Sequence, residues 1–312
     1  MELKGGRILV TGGAGYIGSV LVPMMLEKGE QVTVLDKQLP AISTHAQTNQ
    51  LQAIIGDVRD QAVVKASLEN VTSVIYLAGV SDGRAGKANP KLTEEVNVEA
   101  FENFVHAAKA AGCRRFVFAS TFVVYGYNYQ EPLTEDLAPD PQEAYSASKL
   151  KAEQILQQLN DFEFQTVSVR SAMVYGSAPR VKMDFIVNRL IHSALTQNTI
   201  EVWGGDQVRP QIHVNDISRL FCEMLSYSGQ SVAGEVFNAC GFNKSILQVA
   251  EEIQGILGTS VEINQLPGRA NETSFVLNQD KLTQVTGFSA KYTLREAIDA
   301  FQRQLFTSKT FA

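Results

Sequence analysis

The octet Thr11-Gly12-Gly13-Ala14-Gly15-Tyr16-Ile17-Gly18, directly behind the apolar run Ile8-Leu9-Val10, decides the fold class of this chain. A strand that ends in closely spaced glycines and opens a helix points unpaired backbone N–H groups and the positive end of the helix dipole at one spot, which suits a pyrophosphate. The glycines read either as G-x-G-x-x-G (Gly13, Gly15, Gly18) or as G-x-x-G-x-x-G (Gly12, Gly15, Gly18). Gly-rich turns are common, so the surroundings decide. From Tyr16 to Glu27 apolar residues fall at 17, 20, 21, 24 and 25, a helical spacing, and Gln31 to Asp36 then reads as a second strand. Asp36 ends that strand 18 residues past Gly18. An acidic side chain there accepts the 2′-hydroxyl of an adenosine ribose and repels a 2′-phosphate. NAD is therefore favoured over NADP, with Lys37 next door partly offsetting the repulsion.

Outward from this unit, apolar β-branched runs recur at 7–11, 31–36, 52–56, 73–78, 115–119 and 165–170, with helical patterns near 15–28, 60–68, 91–111 and 143–159. Strands alternating with helices imply right-handed crossovers and an α/β, doubly wound parallel sheet of Rossmann type. After Arg170 the rhythm changes to a region punctuated by Pro179, Gly204-Gly205, Pro210 and Pro267-Gly268. The expectation is an NAD-binding domain over 1–170 and a smaller, mainly substrate-binding lobe over 171–312 at the carboxyl edge of the sheet, where ligands of open α/β sheets bind. Glu235-Val236-Phe237-Asn238 reads as a strand returning to the main sheet, so a segment near 210–240 rejoins the first domain.

The 312 residues bury roughly three quarters of their unfolded surface, enough for one large α/β domain or a domain with an added lobe. Charged residues make up 19% and hydrophobic ones 45%, with a net charge of −6; the isoelectric point is near 5.4. A nucleic-acid or membrane-surface role needs a basic face and is disfavoured. The fingerprint begins at residue 11, leaving no room for a secretory signal, and no apolar stretch reaches the ~20 residues that span a bilayer. A cytoplasmic protein is expected. Cys113, Cys222 and Cys240 stand alone, without metal-ligand spacing, so neither a disulfide framework nor a metal site is expected.

Tyr145-Ser146-Ala147-Ser148-Lys149 opens a predicted helix, and a spacing of four puts phenol and ammonium on one face. A fixed cation favours the phenolate and turns the tyrosine into a usable base. Arg115 to Gly126 reads as a strand delivering the Ser120 and Thr121 hydroxyls to the carboxyl edge of the sheet, where a hydroxyl can bond the oxygen that a tyrosine deprotonates. Taken singly, each feature has a plain alternative: a surface helix pair, or strand-end capping.

Together they resemble the extended short-chain dehydrogenase/reductases of the NAD-dependent nucleotide-sugar epimerase/dehydratase family. The marks run through nearly the whole chain: the glycine turn at 11–18, Asp36, Gly56-Asp57-Val58, Leu77-Ala78-Gly79, Val96-Asn97-Val98, Ser120-Thr121, Val124-Tyr125-Gly126, Tyr145-x-x-x-Lys149, Arg170 with Val174-Tyr175-Gly176, and Arg209 with Ile212-His213-Val214. The resemblance implies a catalytic triad of Thr121, Tyr145 and Lys149, with Lys149 also on the nicotinamide ribose. It implies that Gly12, Gly15, Tyr16, Ile17, Gly18, Asp36 and Lys37 hold the cofactor, that Asp57 and Val58 flank the adenine, and that Leu77, Ala78 and Gly79 run along it, with Asn97 close by or structural. The implied chemistry is hydride abstraction from a sugar carbon by NAD⁺ while Tyr145 takes the hydroxyl proton.

Dehydratases of this family typically place Asp-Glu directly after the catalytic threonine; here those places are Phe122 and Val123, which transfer no proton. A 4-epimerase of nucleotide-diphosphate sugars is the leading expectation. A nucleotide-sugar reductase, an atypical dehydratase and a non-enzymatic NAD-binding regulator stand as alternatives. Many family members carry Asn where this chain has Met173. Arg180, Arg209 and Arg269 are candidates for the substrate diphosphate, because a guanidinium fork suits phosphate oxygens. Lys182 is a further candidate, and Asn188 is an amide donor for the nucleotide or else a helix-surface residue. His213 reads as a packed, hydrogen-bonded residue, and Trp203 as a pocket wall or lobe core. Apolar positions at 92, 96, 98, 101, 104, 105 and 108 form a stripe wide enough to suggest a helical homodimer interface.

Overall fold

The computed structural model describes residues 6–38, 49–81, 87–126, 132–268 and 273–309. Seven strands form one all-parallel sheet: β1 (Arg7–Thr11), β2 (Val32–Asp36), β3 (Leu51–Ile55), β4 (Val71–Tyr76), β5 (Arg115–Thr121), β6 (Gln165–Ser171) and β10 (Glu235–Ala239). Their spatial order is β10-β6-β5-β4-β1-β2-β3, with the reversal beside β1. This is the doubly wound Rossmann arrangement read from the sequence. The strands are Val/Ile/Phe-rich because helices cover both faces, leaving no solvent side to select for polar alternation. One layer of core joins Val10, Leu21, Val22 and Val34 to Ile217 and Phe221; the other joins Leu9, Val74 and Tyr76 to Phe101, Phe104 and Phe116.

The five strands between β6 and the carboxyl end that lie off this sheet make two small ones. β7 (Met173–Tyr175), β9 (Val208–His213) and β11 (Phe242–Ser245) form one, and β8 (Thr199–Trp203) pairs with β12 (Glu262–Leu266) in the other. A third apolar cluster, including Leu190, Ile200, Val249 and Phe301, fills the space beneath them. The chain passes into this lobe after β6 and returns through β10, which pairs in parallel with β6 from Glu235↔Val167 to Ala239↔Ser171.

The stretch read as one helix over 91–111 is three pieces: an α-turn Pro90–Glu94, a π-turn Glu95–Glu99 and an α-helix Ala100–Ala110. The π-turn inserts one residue of phase, so Val96, Asn97 and Val98 are all buried. Phe101, Phe104, Val105 and Ala108 are then buried in the protomer's own core. Most of the wide stripe is therefore packed within the chain, with Leu92 half-buried. Among the described residues no helix is long and apolar enough to cross a membrane.

Candidate active site

A groove of about 650 Å³ runs over the carboxyl ends of β1, β2, β4 and β5, a size in the usual range for a ligand cleft. Its floor is the glycine turn. Gly12 has φ +71, and a Cβ there would come within 2.8 Å of the Ala78 nitrogen, so the turn can lie against β4 only without a side chain. A Cβ on Gly15 would meet only the Gly12 carbonyl oxygen, at 3.1 Å, and would otherwise stand in the cradle itself. The helix α1 (Gly18–Glu27) that follows has no side-chain cap at Ile17. The Ser19 and Val20 amides donate to the Gly15 and Ile17 carbonyls at 2.9 and 3.0 Å, so the amides placed to meet an anion are those ahead of Ser19.

Asp36 closes one end of the groove. Its Oδ2 accepts from the Ala14 N–H at 3.0 Å and its Oδ1 from the Gln38 N–H at 3.2 Å, which fixes the carboxylate against the glycine turn. Lys37 leans away onto Asp57 (2.9 Å), which also receives Arg59 at 2.7 Å. The Arg59 bond, reinforced by Lys37, holds the Asp57 carboxyl well below the usual carboxylate range. Asp57 thus acts on Lys37, while Val58 is the member of that pair lining the groove. Leu77, Ala78 and Gly79 form the facing wall. These features fit a dinucleotide: a bare-backbone cradle with a helix N-terminus, and an acidic side chain at the ribose distance in sequence.

Of the two readings of Asn97, its hydrogen bonds fit the structural one. Its Oδ1 accepts from Val80 N–H (2.8 Å), and its Nδ2 donates to the Val80 carbonyl (3.0 Å) and to Ser148 Oγ (3.0 Å). Ser148 Oγ in turn donates to the Tyr145 carbonyl at 2.7 Å. The amide is consumed in bolting the end of β4 to the helix that carries Tyr145 and Lys149. Only the π-turn aims it there.

Thr121, Tyr145 and Lys149 come together at the other end. Strand β5 carries Thr121 to its last position, and the helix Ala144–Leu159 places Tyr145 in its first turn and Lys149 one turn on. Lys149 Nζ lies 5.9 Å from the centre of the Tyr145 ring and donates to the Ala119 carbonyl at 2.8 Å. Burial pulls the Lys149 ammonium down to about 8, with Glu153 opposing the shift. Glu153, one further turn along, is missed by the motif reading; its signal was the i+4 step from Lys149 on the same face. It is buried with Arg170, which donates to both of its oxygens at 2.7–3.2 Å, and it accepts from Ser120 Oγ. Ser120 lines the groove, but its hydroxyl is committed to this ion pair. Glu143, also missed, lines the groove beside Tyr145.

The substrate candidates scatter. Arg209 lines the groove, donating to the Val208 and Thr273 carbonyls at 2.9 and 2.5 Å over the Phe275 ring. Arg180 is exposed and meets Gln38. Arg269 lies outside the described residues. Asn188 is neither a nucleotide contact nor on the helix surface: it is fully buried, its Oδ1 accepting from Gly176 N–H (2.8 Å), its Nδ2 donating to Tyr16 OH (3.0 Å) and the Lys182 carbonyl (3.0 Å). Tyr16 OH donates to the Gly176 carbonyl at 2.6 Å, and burial drives its phenol up, keeping it neutral. Nothing local in the sequence signals this pairing across 172 positions. His213 is packed as expected: Nδ1 accepts from Asn215 N–H, the ring stacks on Tyr292, and burial lowers it to about 4, leaving it neutral. Trp203 is 55% exposed, so it fills no core.

A larger hollow of about 980 Å³ lies between the helices 61–67 and 100–110. It shares Val58 with the groove but holds none of the glycine turn or the Thr121/Tyr145/Lys149 set, so size does not make it the site.

Comparison with known proteins agrees with this geometry. Residues 8–240 match the model of the NAD dependent epimerase/dehydratase family. A UDP-glucose 4-epimerase of Halalkalibacterium halodurans is 28% identical over 308 residues, covering 91% of each chain. The low-salt glycan biosynthesis protein Agl12 of Haloferax volcanii is also 28% identical, over 94% of this chain and 96% of its own. Among solved structures, the UDP-glucuronic acid 4-epimerase of Bacillus cereus in complex with UDP-glucuronic acid and NAD superposes with a TM-score of 0.83 at 26% identity, covering 96% of this chain and 99% of its own.

Proposed function

This chain belongs to the NAD-dependent epimerase/dehydratase family, and from that premise we propose that it is a nucleotide-sugar 4-epimerase, with UDP-hexoses as the first substrates to test. One observation carries the choice: the Thr121 hydroxyl, Tyr145 phenol and Lys149 ammonium share one groove with the dinucleotide cradle, while the two residues after Thr121 are Phe122 and Val123. Bound in that cradle, NAD⁺ supplies an acceptor that takes a hydride from a sugar carbon and returns it to the opposite face. Tyr145 takes the sugar hydroxyl proton and gives it back, Thr121 bonds the same oxygen, and Lys149 favours the phenolate by its charge. Arg209, stacked on Phe275, is the described guanidinium placed to meet the substrate diphosphate. The reading includes a homodimer, which light scattering tests as twice 34.2 kDa, and a cytoplasmic setting.

Glu143 gives a second reading its footing. A carboxylate beside Tyr145 is a group that can assist loss of water, so an atypical dehydratase is the competitor. The test incubates the protein with nucleotide-hexoses and follows product mass, stereochemistry and NADH absorbance. An isomer of unchanged mass, formed without added reductant, is expected. A product lighter by one water hands the case to Glu143, and stoichiometric consumption of added NAD(P)H to a reductase.

A further inference from the structure

The order β4-β1-β2 puts the glycine turn between the ends of β4 and β2, and the segment Ser177–Phe185 is bonded to both. Lys182 Nζ donates to Ser81 Oγ at 2.6 Å, five residues beyond β4, and Arg180 meets Gln38, two residues beyond β2. A segment tied to both flanks passes over what lies between them, which is the pyrophosphate cradle. Lys182 and Phe185 line the same groove as Gly12 and Gly15. Gln38 is also the residue whose N–H donates to Asp36.

Both ends of the segment are fixed from below. Asn188 holds the Gly176 N–H and the Lys182 carbonyl, Tyr16 from the fingerprint itself holds the Gly176 carbonyl, and the Phe185 ring meets the Tyr16 ring edge-on at 6.0 Å. Ser177 Oγ donates to Gln304 at 2.7 Å. Between the two ends Ala178 and Val181 pack on the apolar core, while exposed Arg180 and half-buried Lys182 reach the flanks of the glycine turn.

We propose that Ser177–Phe185 is a strap that retains the dinucleotide, and that Arg180 and Lys182 serve the cofactor's pyrophosphate and adenosine end, not the substrate's diphosphate. The two cations exchange neutral partners, Gln38 and Ser81, for phosphate charge. The proposal rests on the epimerase reading, because an epimerase must return the hydride from the same cofactor molecule that took it; a strap that slows release between the two half-reactions serves that need. A reductase exchanging cofactor every turnover would be slowed by it.

The experiment loads the intact protein with NAD⁺ and measures its release on chase with excess etheno-NAD⁺, without nucleotide-sugar present. The Arg180→Gln/Lys182→Gln double variant should release NAD⁺ roughly ten- to a hundredfold faster, the scale for losing one or two charge-assisted bonds. Ser81→Ala, which removes a bridge but no charge, should change release less. An unchanged release rate together with a raised half-saturating nucleotide-sugar concentration would return both cations to the substrate and overturn the strap. Melting curves separate misfolding from either result. Unmodified protein that holds no NAD⁺ at all would sink the epimerase reading instead, so the two failures are distinguishable.

Discussion

The helix that carries Tyr145 and the strap that follows Gly176 line one groove and are held in contrasting ways. Beneath the helix the polar groups are buried and mutually bonded: Arg170 and Glu153 keep only 6% and 5% of their side-chain surface, and Ser120, Lys149, Asn97 and Ser148 are all buried. Along the strap Arg180 is exposed and Lys182 half-buried over the Phe185 ring, and both bond neutral side chains. Buried charge is expensive to disturb, whereas exposed pairs contribute little. The proton-transfer end is thus preformed, and the ligand-covering end can rearrange at small cost.

The severest way to break that contrast is Arg170→Met, which leaves Glu153 buried without its partner. A loss of about 3–5 kcal/mol is expected in denaturant unfolding; a loss under about 1 kcal/mol would mean that the floor is no more cooperative than the rim.

Next in size is Tyr145→Phe, which should lower turnover ~10²-fold or more while leaving the melting temperature nearly unchanged. A companion pH profile sharpens it. Lys149 is held down to about 8 by burial, so its charge is present below that pH and lost above it. Support for the phenolate fades as pH rises through about 8, and turnover should level or fall there. A rate that keeps climbing far into alkali would separate Lys149 from the chemistry.

The smallest effect belongs to an exposed side chain outside both regions, at the end of β8. Trp203→Ala should leave stability within about 0.5 kcal/mol, as for an exposed residue away from caps and networks. A larger loss would show that the indole is packed after all.

The same contrast explains what the sequence disclosed. Glycine turn, Asp36 and the Tyr145/Lys149 pair are local patterns whose geometry is set within a turn or a strand end, so spacing alone places them. Asn97 and Asn188 carry equal structural weight, but their partners lie far along the chain. For Asn97 the aim also depends on a π-turn that hydrophobic periodicity reads as plain helix. The rim arginines could be named only by chemistry. Arg209 reaches the groove and Arg180 turns to Gln38 because of how the lobe's small sheets lie, and no window of sequence contains that information.

The late return of β10 to the main sheet has a consequence for biosynthesis. A ribosome completes β6 at Ser171 and reaches Glu235 only after the intervening lobe segment, a delay on the order of several seconds at typical elongation rates. Through that interval β6, with Val167 and Val169 in its middle, is an open strand edge, the kind of template on which unfinished chains pair with one another. A fragment cut at the end of the first domain would keep that edge for good. The lobe and the sheet are thus a single unit of production: β6 stays uncovered until Ala239 has left the exit tunnel and β10 has replaced it as the end strand of the sheet.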